Sequence, residues 1–596
     1  GIKMNSNNFT IVRAAFLLLW LLVGGLNAKG TQFPVNPKHL PTSARHELMK
    51  SWNNELDRSM QSENRYDALK EVVISGNQIK TLLTNLGSLS SGNADNIYAD
   101  LFWPRGENGL GYAYEFGPLV AAEVIGANGD TLHIVDDGFY DSWNGDFEPG
   151  TANRWGWLPK TGFTDPNDPE LAHFSDEDSD QDDKPDSWPE SYYNETLERY
   201  VWPAFLGDDE TTPDEEVFYV LDDLSNAEYP YYPFPSDSSK RGLGLDLQVR
   251  IFQFNNELAE DIIFLVYTIT NVSPKAIDKV WLGMFGDPHV GGVGDYTDDY
   301  ADFISKYDEN YPFKARNMLY AFDSPPVGDG GLATGYFGYK FLESPGISDD
   351  GIDNDVDQLI DESQFNDAGE LIFGSVGIYA SGEIEHWSGD EDGDWDVNSD
   401  DLGVDGIGGT SDYGEGDGRP NQLFYLDLND NSLYDDGEAT SEIQFEGYRF
   451  LGGEPNFGVL DVAESDQLGL TSFNALLEGG NNRPKNDELM YEVMSSDNQG
   501  PTDPPPQIFK PADNVFIYGS GSFSLEPGES QRFSIALMMG SDLTDLVQNA
   551  IISQDIFESD YRFAIPPKKP TLIAVPDNGK VHLYWDAGAE ESFDPF

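Results

Sequence analysis

The chain is predicted to be mainly β: antiparallel β-sandwich modules with long Asp-rich loops, preceded by a short helical N-terminal segment. Three observations predict this. From Ala99 onward, aromatic-rich runs are punctuated by Gly and Pro, and apolar residues recur at every second position, the period of a strand with one buried face. Hydrophobic residues at 39% and aromatics at 13% supply more core than a disordered acidic chain carries, and the length suggests roughly three or four domains. There is no cysteine. Stability is therefore expected from core size, supplemented by bound metal rather than disulfides. Thiolate zinc sites, cysteine nucleophiles and iron–sulfur clusters are excluded.

Residues 1–28 read as a secretory signal peptide. Met4 reads as the start, Arg13 precedes the apolar run Ala14 to Leu26, and Asn27-Ala28-Lys29 marks cleavage after about Ala28. The run is too short to span a bilayer, and no later stretch is apolar enough to do so. The mature chain is expected to be secreted or at the cell surface, with no membrane span. Residues 29–95 are expected to be helical: His46–Ser59 and Tyr66–Leu86 have helical apolar spacing, with Leu69, Val72, Val73 and Ile79 on one face.

Residues 96–345 form the β-sandwich-rich region. Expected strands are Gly111–Glu115, Leu119–Ile125, Thr131–Val135, Glu216–Leu221, Leu245–Phe254, Ile262–Thr270, Lys279–Phe285 and Met318–Phe322. Leu245–Phe254 sets Leu245, Leu247, Val249 and Ile251 against Asp246, Gln248 and Arg250, which predicts a half-buried strand. Residues 346–470 form an Asp-rich loop region with strands at Leu371–Tyr379 and Glu442–Phe450. Residues 471–563 hold closing strands at Val515–Tyr518, Ser522–Leu525 and Arg532–Met538, then an amphipathic helix at Asp542–Phe557. Pro566-Pro567-Lys-Lys-Pro570 reads as a stiff linker inside the last segment, 564–596. It leads to a strand, a tight turn and a second strand ending in Trp585.

Calcium takes about six to eight oxygen ligands, and a twelve-residue loop supplies them at alternating positions with a closing Glu. Asp427, Asn429, Asn431, Leu433 (through its carbonyl), Asp435 and Glu438 fit positions 1, 3, 5, 7, 9 and 12 of such a loop. The one departure is Ser432, where the sharp turn favours Gly. Three further segments share the 1-3-5-9 spacing without a carboxylate at position 12: Asp178, Asp180, Asp182 and Asp186; Asp353, Asp355, Asp357 and Asp361; and Asp392, Asp394, Asp396 and Asp400. These eighteen residues are the expected calcium ligands, against the plainer reading of solvated acidic surface. No flanking helix pairs are evident, so the expected role of calcium is to rigidify loops rather than to switch.

The chain carries 107 acidic and 34 basic residues, a net charge of −73. Bound cations would offset that self-repulsion, although the surplus also simply confers solubility. It argues against nucleic acid as a partner, since phosphate backbones select basic surfaces.

The Asp178–Trp188 segment, the Gly351-Ile-Asp-Asn-Asp355 run and Glu464–Phe473 resemble large exported surface proteins of the Bacteroidota and neighbouring phyla. Many of those are carried by the type IX route. The stretch from Phe563 to Trp585 resembles the opening of a fibronectin type III domain, an Ig-like fold of about 90–100 residues, so only its first two strands are expected here. The resemblance implies extracellular placement, β-rich modules and calcium loops, but no defined activity.

Catalytic motifs are absent: no HExxH pair, nucleophile elbow, phosphate loop or dinucleotide fingerprint stands in a suitable setting. Paired carboxylates are too abundant to single out an acid and a base. Asp287-Pro-His289 with Asp295 is the one cluster that could serve as a catalytic or transition-metal site, against an ordinary loop after a strand. Aromatics at Tyr229–Pro235 and at Trp143, Trp155 and Trp157 could stack on sugars or simply pack. The favoured expectation is a non-catalytic surface or adhesion-type protein stabilised by calcium, with glycans or other cell-surface proteins as possible partners. The alternative is a secreted glycan-binding or glycan-hydrolysing protein.

Overall fold

A computed structural model of the 596-residue chain describes residues 69–91, 101–347 (apart from 107–108, 140–145, 147, 150–153, 180, 206–212, 293 and 296), 465–477, 486–498 and 511–561 (apart from 560). It also describes isolated positions and short strands within 352–450 and two strands at 572–585. The chain divides into two compact units, Gly1–Pro345 with Leu468–Ile551, and Gly346–Gln467 with Ile552–Phe596.

The first unit is a two-sheet antiparallel β-sandwich. Its strands in chain order are β1 (Glu71–Ile74), β2 (Thr81–Thr84), β3 (Leu89–Ser91), β4 (Ala113–Ile125), β5 (Thr131–Asp137), β6 (Leu158–Pro159), β7 (Glu215–Asp222) and β8 (Leu245–Gln253). They continue as β9 (Ile262–Asn271), β10 (Ile277–Pro288), β11 (Asp299–Ile304), β12 (Met318–Asp323), β13 (Tyr336–Glu343), β14 (Ser472–Leu477), β15 (Asn514–Leu525) and β16 (Ser530–Gly540). One sheet has the order β1-β2-β3-β4-β10-β15-β14, with β5 also paired to the long strand β4; the other runs β11-β12-β13-β16-β9-β8-β7-β6. Thus the closing strands β15 and β16 lie inside the two sheets formed by residues 71–343, one in each. The faces meet through aromatics. Phe116 of β4 lies 5.5 Å from Phe337 and 5.3 Å from Tyr339 of β13, and Tyr339 lies 5.1 Å from Tyr518 of β15. Such tilted ring pairs add to the area they bury.

The expected strands from 111 to 285, at 318–322 and at 515–538 are present, two pairs of them fused. Gly111–Glu115 and Leu119–Ile125 merge largely into β4, and Val515–Tyr518 and Ser522–Leu525 into β15. The helical reading of Tyr66–Leu86 is corrected: this stretch forms β1 and β2. Val72, Val73 and Ile74 are β-branched and stiff, and their burial alternates with period 2. Of the supposed helical face, Leu69 is exposed while Ile79 is fully buried. The turn between the strands is tied to the opposite sheet, with Gly76 N donating to Gln253 Oε1 (2.7 Å) and Asn77 Nδ2 to Ile262 O (2.8 Å). The other expected helix, His46–Ser59, and the signal segment 1–28 lie outside the described residues.

The expectation for Leu245–Phe254 is corrected in part. Strand β8 is buried on both faces, because residues 157–205 cover the side that the alternation assigned to water. Arg250 is accommodated there by Glu216 Oε1 and Pro203 O, each at 2.6 Å, with its guanidinium over Phe218.

The described residues include two α-helices. In α1 (Asp487–Met494), Asn486 caps the first turn by accepting from Leu489 N, and Asp487 and Glu488 complement the positive helix end. This helix lays Met490 and Met494 onto a cluster with Leu119, Val135, Phe285 and Ile517. The expected C-terminal helix is α2 (Leu543–Glu558). It approaches β13 so closely that a Cβ on Gly338 would sit 2.7 Å from Leu546 Cδ1.

In the second unit, the described residues include paired strands at Leu371–Gly374 and Ile384–Trp387, a three-stranded group around Phe424–Leu426, and a hairpin of Leu572–Asp577 with Lys580–Trp585. The two strands pair antiparallel from Leu572↔Trp585 to Asp577↔Lys580, so the expected second strand ends at Trp585. Among the described residues no helix is long and apolar enough to cross a membrane.

Candidate metal centre of the sandwich

Of the expected calcium ligands, Asp178, Asp182 and Asp186 are placed. They share one exposed or half-exposed turn and are occupied by its own polar groups. Asp178 accepts from the amides of Asp182 (3.1 Å) and Asp183 (3.0 Å), and Asp186 accepts from Ser179 N (3.2 Å) and Ser179 Oγ (2.5 Å). The turn is anchored by Trp188, which is buried against Trp202 and donates to His173 O (2.9 Å). Asp180, Asp353, Asp355, Asp357, Asp361, Asp392, Asp394, Asp396, Asp400 and the loop from Asp427 to Glu438 lie outside the described residues.

A different set of carboxylates converges in the sandwich. Asp146 follows β5, Glu228 lies in the loop after β7, and Asp487 opens α1. One oxygen from each lies within 4.8 Å of the others. Local structure explains the placement. Asp137, at the end of β5, accepts from Asp146 N (3.0 Å) and pairs with Arg154 (3.1 Å), which fixes the chain at Asp146. Asp487 is held because α1 docks on the sheet, where its Oδ2 accepts from Val135 N (2.8 Å) and Tyr491 stacks on His133 at 3.7 Å. Glu228 N donates to Asn226 Oδ1, and Asn226 also reaches the buried Asp136 (2.9 Å).

The electrostatics are those of crowded acids. Burial, then the charges of Asp146 and Asp137, pushes Asp487 up to about 8. Burial, then the charges of Asp487 and Asp146, pushes Glu228 up to about 9. Among the described residues, Glu228 Oε2 is buried without a hydrogen-bond partner. Beside them Asp136 is raised by burial and by the charge of Asp223. Converging carboxylates in a low-dielectric site take up protons or a cation, because like charges a few ångströms apart resist joint ionisation. All-oxygen donors suit a hard divalent ion.

Sequence reading missed this set, since its members are 82 and 259 residues apart along the chain (146 to 228, 228 to 487). The Asn486-Asp-Glu cap could have announced the helix, but not what Asp487 faces. The noted Asp287-Pro-His289 cluster is also assembled, with Asp513 rather than Asp295 as its third member. A third group, Glu170, His173 and Asp176, lies nearer the surface. Its His173 is desolvated, which opposes protonation, but hydrogen bonding and charge from Glu215, with Asp176 and Glu170, raise it overall.

The aromatics that might have gripped sugars are largely packed. Trp157 is fully buried, and Tyr231 and Phe234 are buried beneath Lys275 and Lys240. Trp143 lies outside the described residues.

No protein-family model matches this chain, and no curated protein matches it. Among solved structures it is similar to a copper-containing benzylamine oxidase from Hansenula polymorpha, with 8% identity and a TM-score of 0.25, covering 81% of this chain and 61% of the oxidase. The chain therefore spans about three fifths of the oxidase's length. A likeness this loose carries no argument about fold or chemistry.

Proposed function

We propose that this chain is a non-catalytic, exported surface protein of the adhesion type whose β modules are stabilised by structural calcium. The observation that carries the calcium reading is the meeting of Asp146, Glu228 and Asp487. These residues come from a loop after β5, a loop after β7 and the start of α1, so one ion would cross-link three distant parts of the chain. Calcium fits better than magnesium, which keeps its own water and seldom uses all-protein cages. The Asp-rich loops, including Asp427–Glu438, would add peripheral sites of the same chemistry. Surface display is supported by the signal-like N-terminus, the absence of cysteine and the acidic composition; glycans and other cell-surface proteins are the proposed partners.

The test is thermal unfolding of the full chain after chelation, with calcium or magnesium then restored. Chelation should lower the melting temperature by about 5 °C or more, with calcium but not magnesium restoring it. An unchanged melting temperature would overturn the calcium reading. A hydrolysis screen on polysaccharides tests the non-catalytic part, which turnover of any polymer would overturn.

The carbohydrate-binding alternative draws on a separate observation. Tyr300, Phe322 and Tyr336 form a half-buried stacked row across β11, β12 and β13, with centroids 5.5 and 5.0 Å apart. Glycan-array binding that is lost in Phe322→Ala would favour it.

A further inference from the structure

The end of β10 and the start of β15 are neighbours in one antiparallel sheet, with Gly286 opposite Phe516. That pairing brings Asp287, near the end of β10, and His289, just after it, against Asp513, which immediately precedes β15. His289 Nε2 lies 3.4 Å from Asp287 Oδ1 and 3.9 Å from Asp513 Oδ1, and all three donor atoms lie within 4.8 Å of one another. Asp287 and His289 are buried, and the Asp513 side chain is 15% exposed. Donors held about 2.0–2.1 Å from a tetrahedral ion stand roughly 3.3 Å apart, so this trio is close to the spacing of a first-row metal site.

The frame around it is built. Tyr114 packs on the His289 ring at 5.0 Å, and His289 N donates to Tyr112 O (3.0 Å). Asp299 ties the two ligand-bearing segments together. Its Oδ2 accepts from Val290 N (3.0 Å), while its backbone oxygen accepts from Ala512 N (3.0 Å) and Asn514 Nδ2 (2.7 Å). The residues on either side of Asp513 and the residue after His289 are thus fixed by one side chain and its own carbonyl.

We propose that Asp287, His289 and Asp513 form a site for a divalent transition-metal ion of the zinc class, distinct from the calcium triad. An imidazole with two carboxylates suits zinc or cobalt better than calcium, which disfavours nitrogen ligands. The partly exposed Asp513 side leaves the fourth position open to water. The competing arrangement is a protonated His289 bridging two carboxylates without metal.

The experiment uses the full chain, stripped with chelator and titrated with Co2+ in saturating calcium, so that calcium occupies the oxygen-only acidic sites. Visible absorption of ligand-bound cobalt and metal analysis after gel filtration are the readouts. About one Co2+ per chain should be retained, displaced by Zn2+ but not by excess Ca2+. His289→Ala should weaken binding by at least about 100-fold, more than typical losses from residues behind a ligand. Asp146→Asn, in the calcium triad, should leave it unchanged. Folded protein that retains no Co2+, or His289→Ala that binds as the parent does, overturns the proposal. Should His289→Ala fail to fold, X-ray absorption of the zinc-loaded His173→Ala variant decides, since it removes the imidazole of the Glu170–His173–Asp176 group: an imidazole shell supports the site, and an all-oxygen shell overturns it. Calcium dependence of stability is read separately, so either site can fail without the other.

Discussion

Buried carboxylates are handled in two ways in this sandwich. Between β13 and β16, Glu343 is fully buried and receives Arg532 through Nε at 2.9 and 3.0 Å, with Ser534 Oγ adding a bond at 2.6 Å. Glu216 and Arg250 repeat the arrangement on β7 and β8. Around α1, by contrast, the charges acting most strongly on Glu228 and Asp487 are those of other carboxylates. The first kind of site is complete within the chain at any calcium concentration. The second is complete only when protons or a cation join it. The sheet interior is therefore self-sufficient, whereas the α1 end is open to control by solution conditions.

The largest expected effect breaks the first kind of site. Arg532→Met removes the guanidinium that faces the buried Glu343 carboxylate, and should destabilise the sandwich by about 3–5 kcal/mol in denaturant titration. The loss should be the same with calcium or chelator; dependence on calcium would mean that the Glu343–Arg532 pair is coupled to a cation site. Next comes Asp487→Asn. Removing one of three crowded acids should abolish the calcium-dependent rise in melting temperature, worth about 2.7 kcal/mol at a hundredfold excess over Kd in the parent. Undiminished calcium stabilisation in this variant would move the site elsewhere.

A pH series sharpens the same point. Asp487 and Glu228 are raised above their ordinary values of 3.8 and 4.5, to about 8 and about 9. Groups raised in the folded state contribute stability below their unfolded values, and that contribution is lost as pH rises through the folded ones. The calcium-free protein should therefore lose stability between about pH 4 and 9. Calcium should flatten the loss and release protons on binding at pH 7, which calorimetry in buffers of different ionisation enthalpy would detect. His173 gives a smaller effect of the same sign. Raised by its carboxylate neighbours, it contributes below its ordinary value of 6.5 and loses that contribution as pH rises through its higher folded value. In His173→Gln that step should vanish, a change of about 1–2 °C in melting temperature. The smallest effect is expected for Asp178→Asn, within about 1 kcal/mol, because the turn is exposed and its other bonds remain.

Much of the fold was legible. Alternation in Leu245–Phe254 located β8, and the apolar run Ile262–Thr270 ahead of a turn located β9, since both signals are written locally. Asp542–Phe557 located α2 within a residue at each end, because its apolar spacing is helical and a close-packed sheet waits beneath it. Tyr66–Leu86 misled for a related reason: Val72 and Ile79, seven residues apart, fit two helical turns, while Val72 and Ile74 fit a strand period equally well. The edge of the sheet decided between them. Strands β3, β6, β11, β13 and β14 and helix α1 were not anticipated: β3 and β6 are only three and two residues long, and Asp299 and Asp302 interrupt the apolar pattern of β11.

The sequence by itself determined a cysteine-free, strongly acidic, mainly β chain, and it marked Asp287 and His289 as a pair worth following. Those properties follow from composition and from neighbours a few positions apart. Which acids meet was decided only by tertiary structure. Asp178 and Asp186 are close in sequence yet turn onto their own amides, while Asp146, Glu228 and Asp487 meet because α1 docks on the β4–β5 side of the sheet. Asp513 reaches His289 because β15 runs antiparallel beside β10. Strand pairing and helix docking join distant segments through burial of apolar surface, and the carboxylates are carried to their positions by that packing.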